Sequence, residues 1–307
     1  MIDLSVALAG LFVGVVVGLT GMGGGALMTP ILVFYGVPPL AAVSSDIVAS
    51  MVMKPVGGGV HLKRGTVNKR LVLWLMLGSV PSAFFGVFAL KALGAGHDLQ
   101  GTVKLALGVA LAVVALGLFV RPLLQSRRQG ESLMPLQVKP LPTLIIGLIG
   151  GTVVGVTSVG SGSLMMILLL VLYPRLRLSE LVGTDLVQAV PLVTSAAIAH
   201  FLFGDFELGV TASILVGSIP GVFIGARFSS RAPDHVIRPA LIVVLAASSL
   251  KLLGAGPVPL AVAVVVLTSW GVYYGVTGAR KAAQERAAQE RESLQAPISV
   301  PASDAVG

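Results

Sequence analysis

The chain has 307 residues, of which 55% are hydrophobic and 11% charged, with a mean hydropathy of +0.95 and a net charge of +8. Soluble globular domains carry about 25% charged residues, so the water-soluble globular class is excluded, and several uncharged stretches reach the roughly 20 residues that cross a hydrocarbon core. The absence of cysteine excludes disulfides, thiolate chemistry and Cys-ligated metals, and basic residues grouped in short loops between apolar stretches follow the positive-inside pattern rather than that of a nucleic-acid binder.

Hydropathy predicts an all-α polytopic membrane protein with apolar blocks at about 4–37, 40–62, 69–92, 99–120, 141–173, 178–203, 206–226, 236–253 and 257–278. The start, "MIDLSVALAG", lacks a basic n-region and a cleavage site, so it is expected to open the first membrane segment rather than to be a removed signal peptide. The first block contains "GLTGMGGGALMTP" (18–30), with five glycines in eight positions. As one helix, residues 4–37 would be about 51 Å long, against a core of about 30 Å. Broken at the glycines, each piece would be about 20–24 Å. The fifth block repeats the pattern 137 positions later as "GVTSVGSGSLMMI" (155–167).

The halves are internal repeats. A constant offset of 139 aligns Asp46 with Asp185, His61 with His200, and "GSVPSAFFG" (78–86) with "GSIPGVFIG" (217–225). Between them, "RPLLQSRRQGESLMPLQVKP" (121–140) reads as a linker. After Gly278, "ARKAAQERAAQERESLQ" is expected to form a solvated or membrane-surface helix, followed by a disordered end. The expected division is membrane repeat 1 over 1–121, a cytoplasmic linker over 122–140, membrane repeat 2 over 141–253, an extra transmembrane helix over 254–278 and a cytoplasmic tail over 279–307.

Charge counting separates two topologies. If every block crosses once, the two sides carry nine and eleven Lys and Arg residues, which is no bias. If the first and fifth blocks are hairpins that return to their starting side, one face carries seventeen and the other only Lys91, Lys104 and Lys251. The expectation is therefore seven crossings and two broken hairpins, arranged as two inverted repeats. Each repeat is a glycine-broken hairpin plus three transmembrane helices, and one extra C-terminal transmembrane helix follows. The N-terminus is expected outside and the C-terminus in the cytoplasm. Inverted repeats with broken helices are a recurring transporter architecture.

Glycine lets the backbone turn and approach a ligand closely, and a helix that restarts after a break presents unpaired N–H groups and a positive dipole end. Such a site suits a small oxyanion. The expected substrate-binding set is Thr20, Gly21, Gly23, Gly24, Gly25, Thr157, Ser158, Gly160, Ser161, Gly162 and Ser163, with Lys54 and Gln188 as further candidates. The alternative reading of the glycines is close helix packing. Lys54 lies inside a membrane block, where charge is costly and commonly functional; its repeat counterpart is Val193, and snorkelling is the competing explanation. Asp46, Asp185, His61 and His200 are coupling or gating candidates; helix N-capping is the expected role of the two aspartates and an interfacial hydrogen bond that of the histidines. No Walker, H-E-x-x-H or Gly-x-Ser-x-Gly element occurs, and "GMGGGA" follows no strand, so no enzyme, catalytic residue, metal or cofactor is expected.

"GLTGMGGGALMTPIL", "GVTSVGSGSLMMILLL" and the paired "GS[VI]P…G" helices resemble the TauE/SafE family, sulfite-exporter-like membrane proteins of the 4-toluene sulfonate uptake permease superfamily, over residues 1 to about 278. The resemblance implies a multi-pass inner-membrane transporter of small sulfur-containing anions such as sulfite or sulfonates. The expected partners are thus a small anionic substrate and the lipid bilayer, with no nucleic acid. An anion channel and a non-transporting membrane scaffold are the alternatives.

Overall fold

The computed structural model describes residues 2–20, 24–63, 65, 67–94, 98–126, 137–176, 178–228, 234–273 and 276–277, and among these no strand occurs. The helices are α1 (Leu4–Thr20), α2 (Gly25–Phe34), α3 (Pro39–Lys63), α4 (Lys69–Gly94), α5 (Leu99–Ser126), α6 (Pro140–Thr157), α7 (Leu164–Leu172), α8 (Leu178–Phe203), α9 (Leu208–Phe228), α10 (Asp234–Leu252) and α11 (Pro257–Tyr273). Local chemistry sets several starts. Asp3 Oδ1 accepts hydrogen bonds from the N–H groups of Ser5 (2.8 Å) and Val6 (3.2 Å), capping α1; the backbone donors of Val6 and Ser5 hold its carboxyl below the usual range. Proline opens α3 and α6, where its missing N–H breaks no helical bond.

The apolar blocks reappear as helices, and both glycine stretches interrupt them. The arms of the two broken units are unequal, however, rather than two similar pieces. The first arms have 17 and 18 residues and the second arms 10 and 9, or about 26 and 27 Å against about 15 and 14 Å. Hydropathy spread evenly over both arms concealed this, because a short helix can be as apolar as a long one. The expected linker is also shortened. α5 continues past Arg121 to Ser126, since hydropathy marks where apolar residues end and not where a helix must. Residues 127–136 and the expected tail 279–307 lie outside the described residues.

α4, α5, α6, α8 and α9 are long and apolar enough to cross a membrane. Large apolar side chains cover the outside, including Phe12, Phe85, Leu116, Val171 and Phe223, all more than half exposed. An apolar exterior of this extent fits a protein bathed in lipid.

Inside a bilayer apolar side chains gain little by leaving lipid for one another, so close packing of small residues joins helices. Two such seams dominate. In the first, α1 runs parallel to α9: a Cβ at Gly10 would lie 2.9 Å from Ile214 O, one at Gly14 2.6 Å from Ser218 O, and one at Gly221 2.4 Å from Leu11 O. In the second, α6 runs parallel to α4 in the same way: a Cβ at Gly147 would lie 2.5 Å from Leu75 O, at Gly151 2.4 Å from Ser79 O, and at Gly155 2.5 Å from Ala83 O. Each seam joins a helix of one half to a helix of the other. The halves are therefore interleaved, and each of the two buried cores mixes residues from both: Val13 and Leu27 with Ile214 and Leu245 in one, Ile47 and Leu75 with Leu169 and Leu192 in the other.

Polar contacts fix further directions. Ser44, near the start of α3, bonds His200, near the end of α8, and Asn68, in the connection from α3 to α4, donates its N–H to Thr184 near the start of α8. These two helices are antiparallel. The Tyr173 hydroxyl at the end of α7 accepts from the N–H of Lys139 (2.9 Å) and bonds Thr143, both at the start of α6, so α6 and α7 close as a hairpin. At the end of α2, the Phe34 ring carries the Lys251 ammonium 4.3 Å from its centroid, from the end of α10.

Candidate functional site

The two breaks meet in the interior. Gly25, the first residue of α2, packs so closely on the second break that a Cβ there would lie 2.0 Å from Ser158 O. The second break is built from left-handed backbone. Ser158, the C-cap of α6, has φ 61°, and Gly160 and Gly162 have φ 111° and 110°. Side chains other than Asn or Asp rarely adopt such angles, which accounts for glycine at the last two. The Thr157 hydroxyl donates to Val153 O (2.6 Å) and accepts from the Val159 N–H (3.1 Å), closing the end of α6. Ser163 precedes α7 and is buried, with no side-chain capping bond.

α3 faces this break with one acid and one base. Asp46 is fully buried; its Oδ2 accepts from Ser158 Oγ (2.7 Å) and from Thr29 Oγ1 of α2 (3.0 Å). Two turns further along, the half-buried Lys54 donates to Ser161 Oγ. Its ammonium lies within electrostatic reach of Asp185 of α8 as well as of Asp46. Asp185 Oδ1 in turn accepts from Gln188 Nε2 at 3.1 Å, and Gln188 Oε1 accepts from Ser79 Oγ of α4 at 3.3 Å.

The structure therefore brings Gly25, Ser158, Ser161, Lys54 and Asp46 together, and links Asp185 to them through Lys54. Neither aspartate is an N-cap. α3 begins at Pro39 and α8 at Leu178, so Asp46 and Asp185 lie two turns inside their helices, where backbone N–H groups are already bonded within the helix. Both starts agree with the apolar blocks at 40–62 and 178–203, which already place each aspartate inside its helix rather than at its first residue.

His200 is fully buried, with Nδ1 2.8 Å from Ser44 Oγ and Nε2 2.8 Å from Gly155 O. A carbonyl only accepts, so Nε2 carries a hydrogen, and in the neutral ring Nδ1 accepts from Ser44. This imidazole ties α8 to α3 and α6 from inside the protein, in the last turn of α8, and is hydrogen-bonded as expected. His61 lies in the last turns of α3, and Thr20 ends α1, but their side chains are outside the described set, as are Gly21 and Gly23 altogether. Thr29, Ser79 and Ser44 were not singled out from the sequence. Ser79 stood in the repeated "GS[VI]P" motif, and the glycine stripes Gly10, Gly14, Gly18 and Gly147, Gly151, Gly155 obey the 137-residue offset; both signals were available.

Residues 6–252 match the family model described as sulfite exporter TauE/SafE. Among curated proteins, the chain is 40% identical over 254 residues to "Probable membrane transporter protein YjnA" of Bacillus subtilis, covering 82% of this chain and 100% of that one. It is 22% identical over 243 residues to "Probable membrane transporter protein YdhB" of the same organism, covering 78% and 96%. No solved structure matches it. A helical, lipid-facing protein whose two glycine breaks fall within this match belongs to the sulfite exporter TauE/SafE family of membrane transporters.

Proposed function

We propose that the protein is a secondary transporter that moves a small sulfur-containing or organic oxyanion, of the sulfite or sulfonate type, across the cytoplasmic membrane with proton coupling. The observation that carries this reading is the delivery of Lys54 to Ser161 in the second break, next to the point where Gly25 of the first break touches Ser158. A fixed positive charge then stands beside the starts of α2 and α7, whose first N–H groups have no partners within their helices. Serine hydroxyls and helix-start N–H groups suit a compact oxyanion. The family description and the transporter names of the relatives agree with this class.

The same reading arranges the halves as inverted repeats with the N-terminus outside and the C-terminus cytoplasmic. If α4 and α5 each cross once, the antiparallel pairing of α3 with α8 puts the start of α8 on the face where α6 begins. Parallel packing of α1 with α9, and of Phe34 with Lys251, brings α2 back to the face where α1 begins. These directions support two returning hairpins, one in each half, with the connection between the halves beginning after Ser126.

The test is uptake of radiolabelled sulfite by purified protein in proteoliposomes. Accumulation against the sulfite gradient under an imposed pH gradient is expected. Downhill flux alone would make the protein a channel, and no flux of sulfite or of a sulfonate panel would leave a scaffold. For topology, the chain has no native cysteine, so Lys91→Cys should react with an impermeant reagent outside intact cells while Ser126→Cys and Arg175→Cys are shielded. Labelling of Ser126→Cys and Arg175→Cys from opposite sides would overturn the inverted arrangement.

A further inference from the structure

Two positions related by the repeat are filled differently. In one, the Gln188 carboxamide spans the gap between Asp185 and the Ser79 hydroxyl. The offset of 139 carries Asp185 to Asp46, Ser79 to Ser218 and Gln188 to Ala49. Alanine has no group to span that gap. Asp46 Oδ1 and Ser218 Oγ are both buried without a hydrogen-bond partner. The two residues line one narrow cavity bounded by α1, α2, α3 and α9, with room for about one water molecule.

The two oxygens of Asp46 are thereby distinguished. Oδ2 already accepts from Thr29 and Ser158, whose hydroxyl hydrogens occupy the positions where a proton on Oδ2 would sit. A carboxyl group becomes a donor only when protonated. Its proton then belongs on Oδ1, directed into the cavity. The charged group that acts on Asp46 is Lys54 of its own helix, with Asp185 of α8 beyond it. α1, α2 and α9 line the cavity with apolar side chains, glycine and Ser218, and α6 contributes the uncharged Ser158. Lys104 of α5 is exposed, and His200 of α8 is turned to Ser44 and Gly155. Two carboxyls thus lie within electrostatic reach of one ammonium. A second negative charge from an incoming anion is expensive there unless a proton accompanies it.

Building on the transport reading above, we propose that Asp46 is the seat of the coupled proton: a hydronium in the cavity between Asp46 and Ser218 gives its proton to Oδ1, stays behind as water, and receives it back on release. The consequence reaches both breaks. Ionised Asp46 holds Thr29 of α2 and Ser158 of the second break through charge-assisted hydrogen bonds, which are about twice as strong as neutral ones. Protonation loosens both together.

The test uses the full chain in proteoliposomes and two readouts. Infrared difference spectra between acid and alkaline buffer should contain the C=O stretch of a buried carboxylic acid in the wild type and in Asp185→Asn. Asp46→Asn should lack it, and Asp46→Glu should restore it. Ala49→Gln, which supplies the carboxamide present at the other position, should remove the band without altering Asp46. Persistence of the band in Asp46→Asn, or its loss in Asp185→Asn alone, overturns the proposal. With sulfite as probe, Asp46→Asn should lose pH-gradient-driven accumulation by about tenfold or more, and Asp46→Glu should restore it. Undiminished accumulation, or accumulation that follows a sodium gradient at equal pH, overturns it as well. Absence of sulfite flux in the wild type counts against the transport reading, and the infrared result still decides the fate of Asp46.

Discussion

The two helix breaks occupy equivalent places in the repeat but are built by different physical means. In the first, Gly24 has right-handed backbone at φ −61°, and a Cβ there would meet Val17 only at 3.6 Å. Its neighbour Gly25 has no room at all against Ser158. In the second break, Gly162, the repeat counterpart of Gly25, is required by its φ of 110°. One glycine is therefore selected by contact and the other by dihedral angle. The difference separates a glycine that joins the halves from a glycine that shapes the backbone of the break, which a count of glycines does not.

Substitutions can break this comparison in order of effect. Gly25→Val should be the most damaging, because its Cβ would overlap a backbone oxygen that no rotamer change can move. Its cost should reach or exceed the upper end of the roughly 1–3 kcal/mol of ordinary overpacking, read as loss of folded protein in detergent by thermal unfolding. Gly162→Val comes next. Forcing a β-branched residue into this region costs about 1–3 kcal/mol, and sulfite transport should fall severely at normal membrane abundance. Wild-type transport in correctly inserted Gly162→Val would leave helix packing as the better explanation of the second break.

Ser161→Ala should be milder. It removes the acceptor for Lys54 but leaves the backbone donors, and hydrogen bonds to charged groups contribute about 1.5–3 kcal/mol. A roughly tenfold rise in the sulfite half-saturation concentration with folding intact is expected. Gly24→Ala should do least, with unfolding temperature and transport both near wild type. If it instead abolishes transport without destabilising the protein, Gly24 touches the anion and the first break is a ligand surface as well as a joint.

Much of this was legible before any coordinates. Glycine marks helix boundaries by its own backbone chemistry, so the glycine runs located the ends of α1 and α6. The offset of 139 paired the aspartates and the serines of the "GS[VI]P" helices because duplicated helices keep their packing positions. The site was only partly legible. Lys54 and Ser161 are 107 residues apart, and Ser158 and Asp46 are 112 apart; nothing in local sequence encodes such meetings. The N-cap role expected of Asp46 and Asp185 failed because both helices start seven residues before them, where the apolar blocks at 40–62 and 178–203 already begin.

By itself the sequence determined that this is an all-helical, lipid-facing chain made of two related halves, each interrupted by glycine. Those properties follow from apolar length, residue composition and periodic offset, all of which are local or self-referential. Tertiary structure alone decided that the halves interleave, α1 on α9 and α6 on α4, and that one aspartate is bridged by Gln188 while the other faces a cavity. The physical reason lies in the packing. Helices in lipid gain little from burying apolar surface, so which ones meet depends on where backbones can approach, and that complementarity exists only between two surfaces in three dimensions.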